Sequence, residues 1–309
     1  MIKTTTRLLA GASFSFWAVV LQIQAETFPA SAMLFGYAGI DCDLISNGPD
    51  GPKSSYWDEV ADFTNANQVC VTADMQQLAQ RLDNAAQYGR PVFYLEPVFF
   101  EQTGDQLVLA SHADVLWQMV VQAIHNSGVP PEDLIFYMAD EPYHRNVNRA
   151  DLVKAAQMIR ATFARADILV IEAARPNPEQ FYAANPNPIP DEIRYWGFNA
   201  YTMLDPSLNP AYMRELSAIE TALQPDQSMA LIVDATHTPI HRLAGLRAGD
   251  MGDVALNYAR LAQTLTRVDL VLAYSWVGGI DGRWEKGVRD MPQHVQDTHR
   301  AIGLALTGR

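Results

Sequence analysis

The sequence predicts a single (β/α)8 barrel of the TIM type. Eight short runs rich in β-branched and aromatic residues recur along it, at residues 33–38, 68–72, 91–98, 134–139, 168–173, 195–201, 229–235 and 270–276. Several of these runs (LIFYMA, ILVIEA, ALIVDA, LVLAYSW) are nearly continuous apolar strings. Strands covered on both faces in a parallel sheet have that pattern. Stretches with helical period separate the runs, the alternation expected of an α/β fold. Neither G-x-G-x-x-G nor G-x-x-x-x-G-K-[ST] occurs, which disfavours an open nucleotide-binding sheet.

In chain order, residues 1–25 come first. They hold Lys3 and Arg7, then an apolar stretch over 8–23, then Ala25 at a small-residue cleavage position. That is the layout of a secretory signal peptide. Gly11, Ser13, Ser15 and Gln22 dilute the stretch, and a membrane span needs about 20 strongly apolar residues. An exported protein, periplasmic or secreted, is therefore expected, with residues 26–309 as the mature domain and no stable membrane insertion. The helix expected over 74–87 stops before Gly89 with Pro91 beyond, and the one over 113–127 stops at Gly128 before Pro130 and Pro131. Further helices fit 150–164, 210–223, 253–267 and 292–306. Residues 175–190 contain five prolines, so a long loop with one short helical turn is expected there.

The chain has 309 residues, 49 % of them apolar, with 22 Lys+Arg against 35 Asp+Glu and a formal charge of −13. This composition is globular. The acidic balance argues against nucleic acid as a partner, because phosphate backbones are bound by basic patches. Loss of residues 1–25 removes Lys3 and Arg7, which leaves 284 residues and a charge of −15. That length suits one barrel of roughly 250 residues better than two domains. A monomer without a cofactor is expected. In an oxidising compartment Cys42 and Cys70 could pair, worth about 3 kcal/mol in the chain-entropy model, but the sequence leaves the pairing open.

In barrels of this kind chemistry gathers at the C-terminal ends of the strands. The sequence places there Asp41, Glu96, Asp140-Glu141-Pro142-Tyr143, Glu172, Gly197-Phe198-Asn199-Ala200-Tyr201, Asp234 and Trp276, with Trp284 and Glu285 beyond the last run. A carboxylate at the end of an apolar strand is costly unless it is paired or used. Glu96 and Glu172 fit an internal salt bridge as well as a role in chemistry. Adjacent Asp140 and Glu141 raise each other's pKa, which is useful when one carboxyl must stay protonated near neutrality. The catalytic candidates are Glu141, Asp140 and Asp234. The substrate-binding candidates are Asp41, Glu96, Tyr143, Asn199, Tyr201, Trp276 and Trp284, since aromatic faces beside carboxylates suit sugar rings. Asp234, His237 and His241 have metal-ligating side chains, but Pro239 breaks the helical face they would need, and no metal is expected.

Asp140-Glu141-Pro142 resembles a motif of the (β/α)8 glycoside hydrolases. The large retaining clan of that fold carries Asn-Glu-Pro at the end of its fourth strand, with the Glu as acid/base. The string from Gly197 to Tyr201 looks like that clan's sixth strand, and Trp276 like its sugar-stacking Trp. The resemblance implies Glu141 as the acid/base and Asp234 in the place of the nucleophile, where the clan has a Glu. A retaining pair stands roughly 5–5.5 Å apart and an inverting pair about 6.5–9.5 Å. The adjacent Asp140-Glu141 is also similar to the substrate-assisted N-acetylhexosaminidases. In those enzymes the Glu is the acid and the Asp orients the substrate's acetamido group, which Tyr201 would help to hold. Either way the implied function is hydrolysis of glycosidic bonds in a polysaccharide or glycan. The absent strand-7 Glu also admits a non-catalytic carbohydrate-binding barrel, and a metal-dependent hydrolase outside sugar chemistry is a weaker third reading.

Overall fold

Each of the eight apolar runs forms a strand: β1 (Leu34–Tyr37), β2 (Ala66–Cys70), β3 (Arg90–Tyr94), β4 (Ile135–Asp140), β5 (Asp167–Ala173), β6 (Tyr195–Asn199), β7 (Ser228–Asp234) and β8 (Val268–Tyr274). The computed structural model describes residues 33–42, 53, 55–184, 187–280, 282 and 284–309. The expected leader over residues 1–25 lies outside them. The strands form one parallel sheet in the order β1–β8–β7–β6–β5–β4–β3–β2. Helices α1 (Trp57–Val60), α2 (Met75–Ala86), α3 (Ala113–Ser127), α4 (Arg149–Thr162), α5 (Pro178–Ala184), α6 (Pro210–Ala222), α7 (Met251–Thr264) and α8 (Gln293–Thr307) follow the strands in turn. Among the described residues no helix is long and apolar enough to cross a membrane.

Local chemistry explains the helix ends. Asp74 caps α2 by accepting the N–H groups of Gln76 and Gln77, and Asn209 caps α6 in the same way before Pro210. Gly128 closes α3 at φ 73°, a left-handed position that glycine adopts without cost. Two details depart from expectation. The third run ends as a strand at Tyr94, because Pro97 lies in a short helix, Glu96–Phe99. An antiparallel hairpin, Phe100–Thr103 with Gln106–Leu109, then turns at Gly104, whose φ is 60°.

Alternation along the strands divides the core in two. Residues such as Val92, Ile135, Leu169, Ala230, Ile232, Leu270 and Leu272 fill the barrel interior, while Phe93, Phe136, Val170, Trp196 and Val271 pack outward under the helices. The ring of strands closes between β1 and β2 largely through side chains. Asn65 Oδ1 accepts the Phe35 N–H at 2.7 Å, Asn67 Oδ1 accepts the Tyr37 N–H at 3.0 Å, and Gln68 Oε1 accepts the Gly39 N–H at 2.9 Å. The strands come so close that a Cβ on Gly36 would fall on the Ala66 carbonyl oxygen. A disulfide between Cys42 and Cys70 bridges the same seam at its top.

Candidate active site

A cavity of about 520 Å³ opens at the C-terminal end of the barrel, within the usual size range of ligand sites. Ile171, Ile232 and Leu272 form its apolar floor, and Tyr94, Tyr137, Asp140, Glu141, Asn199, Tyr201 and Tyr274 bring polar groups to its wall, together with Gln68 and the Cys42–Cys70 bridge. A larger groove of about 770 Å³ lies outside the barrel against α5 and α6, and among the described residues Glu179 is the one carboxylate in its lining.

The register of β4 explains how Asp140 reaches the cavity. Ile135 and Tyr137 face inward, and strict alternation would send Ala139 inward and Asp140 outward. The pairing with β5 slips between Tyr137 and Ala139, so that Met138 and Ala139 both pack outward and Asp140 sits opposite Ile171 on the inner face. Such a bulge re-aims the side chains beyond it. Glu141 follows at φ 51°, a left-handed conformation that costs a glutamate of order 1–3 kcal/mol and persists only when its surroundings fix it.

Two buried carboxylates fix those surroundings. Glu96 Oε2 accepts the Asp140 N–H at 2.8 Å, while its Oε1 accepts from Arg145 Nη1 at 2.6 Å. Glu172 accepts the N–H groups of Tyr143 at 2.8 Å and His144 at 3.1 Å, and pairs with Arg175 at 3.1 Å. The Glu141 N–H itself donates to the Ile171 carbonyl at 2.6 Å. Glu96 and Glu172 thus clamp residues 140–144 from either side.

A polar network joins the two facing acids. Asn199 Nδ2 donates to Glu141 Oε1 at 3.2 Å and to Asp140 Oδ1 at 3.4 Å. Tyr137 donates to Asp140 Oδ1 at 2.7 Å, and Tyr201 to Asn199 Oδ1 at 2.9 Å. Burial pushes the Asp140 carboxyl up to about 7; the Tyr137 hydrogen bond opposes this, and the Glu141 and Glu96 charges add to it. The raised carboxyl is that of Asp140, whereas the resemblance assigns the proton-donor role to Glu141.

Four expected site residues, Asp140, Glu141, Asn199 and Tyr201, line this cavity, and the other six do not. Asp234 is fully buried, held by His241 and the Thr202 N–H. Asp41 is buried 3.7 Å from Arg81, and Glu96 is spent on its clamp. Tyr143 donates to the Pro188 carbonyl at 3.1 Å and packs on Trp196 and Phe181. Trp276 is turned toward the helices, donating to Glu59 Oε2 at 2.7 Å and packing on Tyr37 and Phe63. Trp284 stands half-exposed on the loop after β8. Tyr94, Tyr137, Gln68 and Tyr274 were not singled out from sequence. Inward parity counted back from the ends of β3, β2 and β8 was the signal that could have found Tyr94, Gln68 and Tyr274, whereas Tyr137 follows only from parity counted forward from Ile135, because the bulge breaks the count back from Asp140.

The histidines considered as metal ligands are engaged internally. His241 contacts Asp234 and Thr238 through its two ring nitrogens, and His237 Nε2 lies 3.2 Å from the Leu246 carbonyl. Among the described residues no group of three or more His, Cys, Asp or Glu is arranged to hold a metal ion.

Comparison with solved structures identifies the class of fold. An α-amylase from Anoxybacillus superposes with a TM-score of 0.58 at 8 % identity, over 89 % of this chain and 78 % of that one. Xylanase 10B from Thermotoga maritima gives 0.54 at 10 % identity, over 88 % and 96 %. An α-amylase from Geobacillus thermoleovorans gives 0.52 at 10 % identity, over 88 % and 78 %. The protein therefore has the (β/α)8 barrel seen in these glycoside hydrolases. No family profile and no curated protein matches its sequence.

Proposed function

We propose that the protein is an exported glycoside hydrolase in which Glu141 is the general acid and Asp140 the second carboxylate. The observation that carries this reading is the pair itself, two adjacent carboxyls facing one cavity and joined through Asn199. A glycosidic oxygen leaves poorly unless it is protonated as its bond breaks, and Glu141 is placed at the cavity wall to supply that proton. The positive charge that develops on the sugar then needs a partner. Asp234 is a poor one, because it is fully buried and already accepts two hydrogen bonds. Asp140 lines the cavity, which supports the substrate-assisted route: its carboxylate orients a 2-acetamido group that attacks the anomeric carbon.

Among the described residues, the cavity lining holds two carboxylates and no Lys, Arg or His. That balance favours a neutral or basic sugar over a uronate. The test is product analysis with a panel of 2-acetamido and 2-hydroxy glycosides. Glu141→Gln is expected to lower turnover by about 10²–10⁴-fold with the fold intact. An active Glu141→Gln protein would refute the assignment. Tight sugar binding with no product from the wild type would favour a carbohydrate-binding barrel.

A further inference from the structure

We propose that Asp234 and His241 are positioning residues that set the orientation of Asn199, and through it the two carboxyls of the site. This rests on the glycosidase reading above for its kinetic test, though not for its spectroscopic one. Asp234 ends β7 with no exposed surface. Its Oδ2 accepts the Thr202 N–H at 2.8 Å, and both of its oxygens lie 3.0 Å from His241 Nε2. The Thr238 N–H donates to His241 Nδ1 at 3.1 Å. The same nitrogen lies 2.8 Å from Thr238 Oγ1, so Thr238 holds one edge of the ring and the other edge, Nε2, faces the Asp234 carboxylate.

What Asp234 holds in turn is Thr202, at φ 70°. A β-branched residue adopts this conformation only when a partner holds it there. Tyr201 precedes it and donates its hydroxyl to Asn199 Oδ1 at 2.9 Å. With its oxygen taken by the phenol, the Asn199 amide presents its NH₂ to Glu141 at 3.2 Å and to Asp140 at 3.4 Å. Were Tyr201 to swing away, the amide would be free to flip and turn an oxygen on two acids. Asp234 thus acts on the carboxyls without touching them.

The experiment compares Asp234→Ala, Asp234→Asn and His241→Ala with wild type by steady-state kinetics and by a ¹³C NMR titration of the Asp140 carboxyl. Asp234→Ala and His241→Ala are expected to lower kcat by about ten- to a hundredfold, with KM little changed. Both are expected to move the Asp140 titration upward, because an ionised carboxyl loses its Asn199 donor. Asp234→Asn keeps an oxygen for the Thr202 N–H but sets an NH₂ beside His241 Nε2, so it should lose clearly less kcat than Asp234→Ala. An Asp234→Asn protein as inactive as Asp234→Ala would overturn the proposal and return Asp234 to the role of nucleophile. Wild-type kinetics and an unmoved titration in the two alanine variants would also overturn it. If the wild type cleaves no glycoside, the glycosidase reading fails and the titration alone decides. Should Asp234→Ala not fold, His241→Ala carries the same comparison.

Discussion

Burial lifts the Asp140 carboxyl from its ordinary 3.8 to about 7, against the opposing hydrogen bond from Tyr137. Two consequences follow at this residue. If its carboxylate orients the substrate, kcat/KM rises with pH until Asp140 is ionised, so the acid limb of the profile lies near 7. Asp140→Asn should abolish that limb, whereas an unchanged limb in the variant would assign it to another group. The second consequence concerns stability. Between 3.8 and about 7 the folded chain keeps a proton that the unfolded chain releases. The contribution of Asp140 is therefore fully present below 3.8 and lost as pH rises through about 7. Asp140→Asn should raise Tm relative to wild type more at pH 8 than at pH 4, and equal differences at both pH values would contradict the shift. The adjacency of the two acids was plain in the sequence. Which of them carries the raised pKa depended on Tyr137, Glu96 and the degree of burial, none of which spacing reveals.

At the scale of elements, the seam between β1 and β2 and the bulge in β4 do the positioning. The positions of the strands followed from apolar runs and two helix ends from Gly89 and Gly128, because those signals are local; the Asp74 and Asn209 caps emerged only with the structure. The β4 bulge had no such signal: alternation counted from Ile135 sends Asp140 to the wrong face, and only pairing with β5 corrects it. Trp276 and Tyr143 misled for a related reason, since an aromatic near a strand end can turn either way. The seam was equally hidden. Its hydrogen bonds come from Asn65, Asn67 and Gln68, whose side chains stand in for part of a backbone ladder. Gly36→Ala tests it, because the added methyl meets backbone and not a yielding side chain. Urea unfolding should show Gly36→Ala losing more stability than Asn67→Ala, which strands one buried N–H at a cost of about 1–3 kcal/mol. The reverse order would mean that the two strands can part easily.

For the whole molecule, closure depends on β1 meeting α8. Tyr37 of β1 and His299 of α8 share a hydrogen bond of 3.0 Å in a fully buried contact, with Trp276 packed on the same tyrosine. Burial pushes the His299 imidazole down to about 3 from its ordinary 6.5. The sign is opposite to that of Asp140. Below 6.5 the unfolded chain takes up a proton that the folded chain refuses, so the contribution of His299 is present above 6.5 and lost as pH falls toward about 3. Acidification from 7 to 4 therefore strengthens the barrel at its mouth and weakens it where its ends meet, and the wild-type slope is the difference of the two. Single variants should separate them. His299→Gln, which retains an acceptor for the Tyr37 hydroxyl, should lose less stability than wild type between pH 6.5 and 4 in urea titrations. Asp140→Asn should lose more than wild type over the same interval, because it lacks the carboxyl that gains a proton there. Parallel slopes for all three proteins would mean that neither buried group governs the acid response, and would point to the carboxylates of the surface instead.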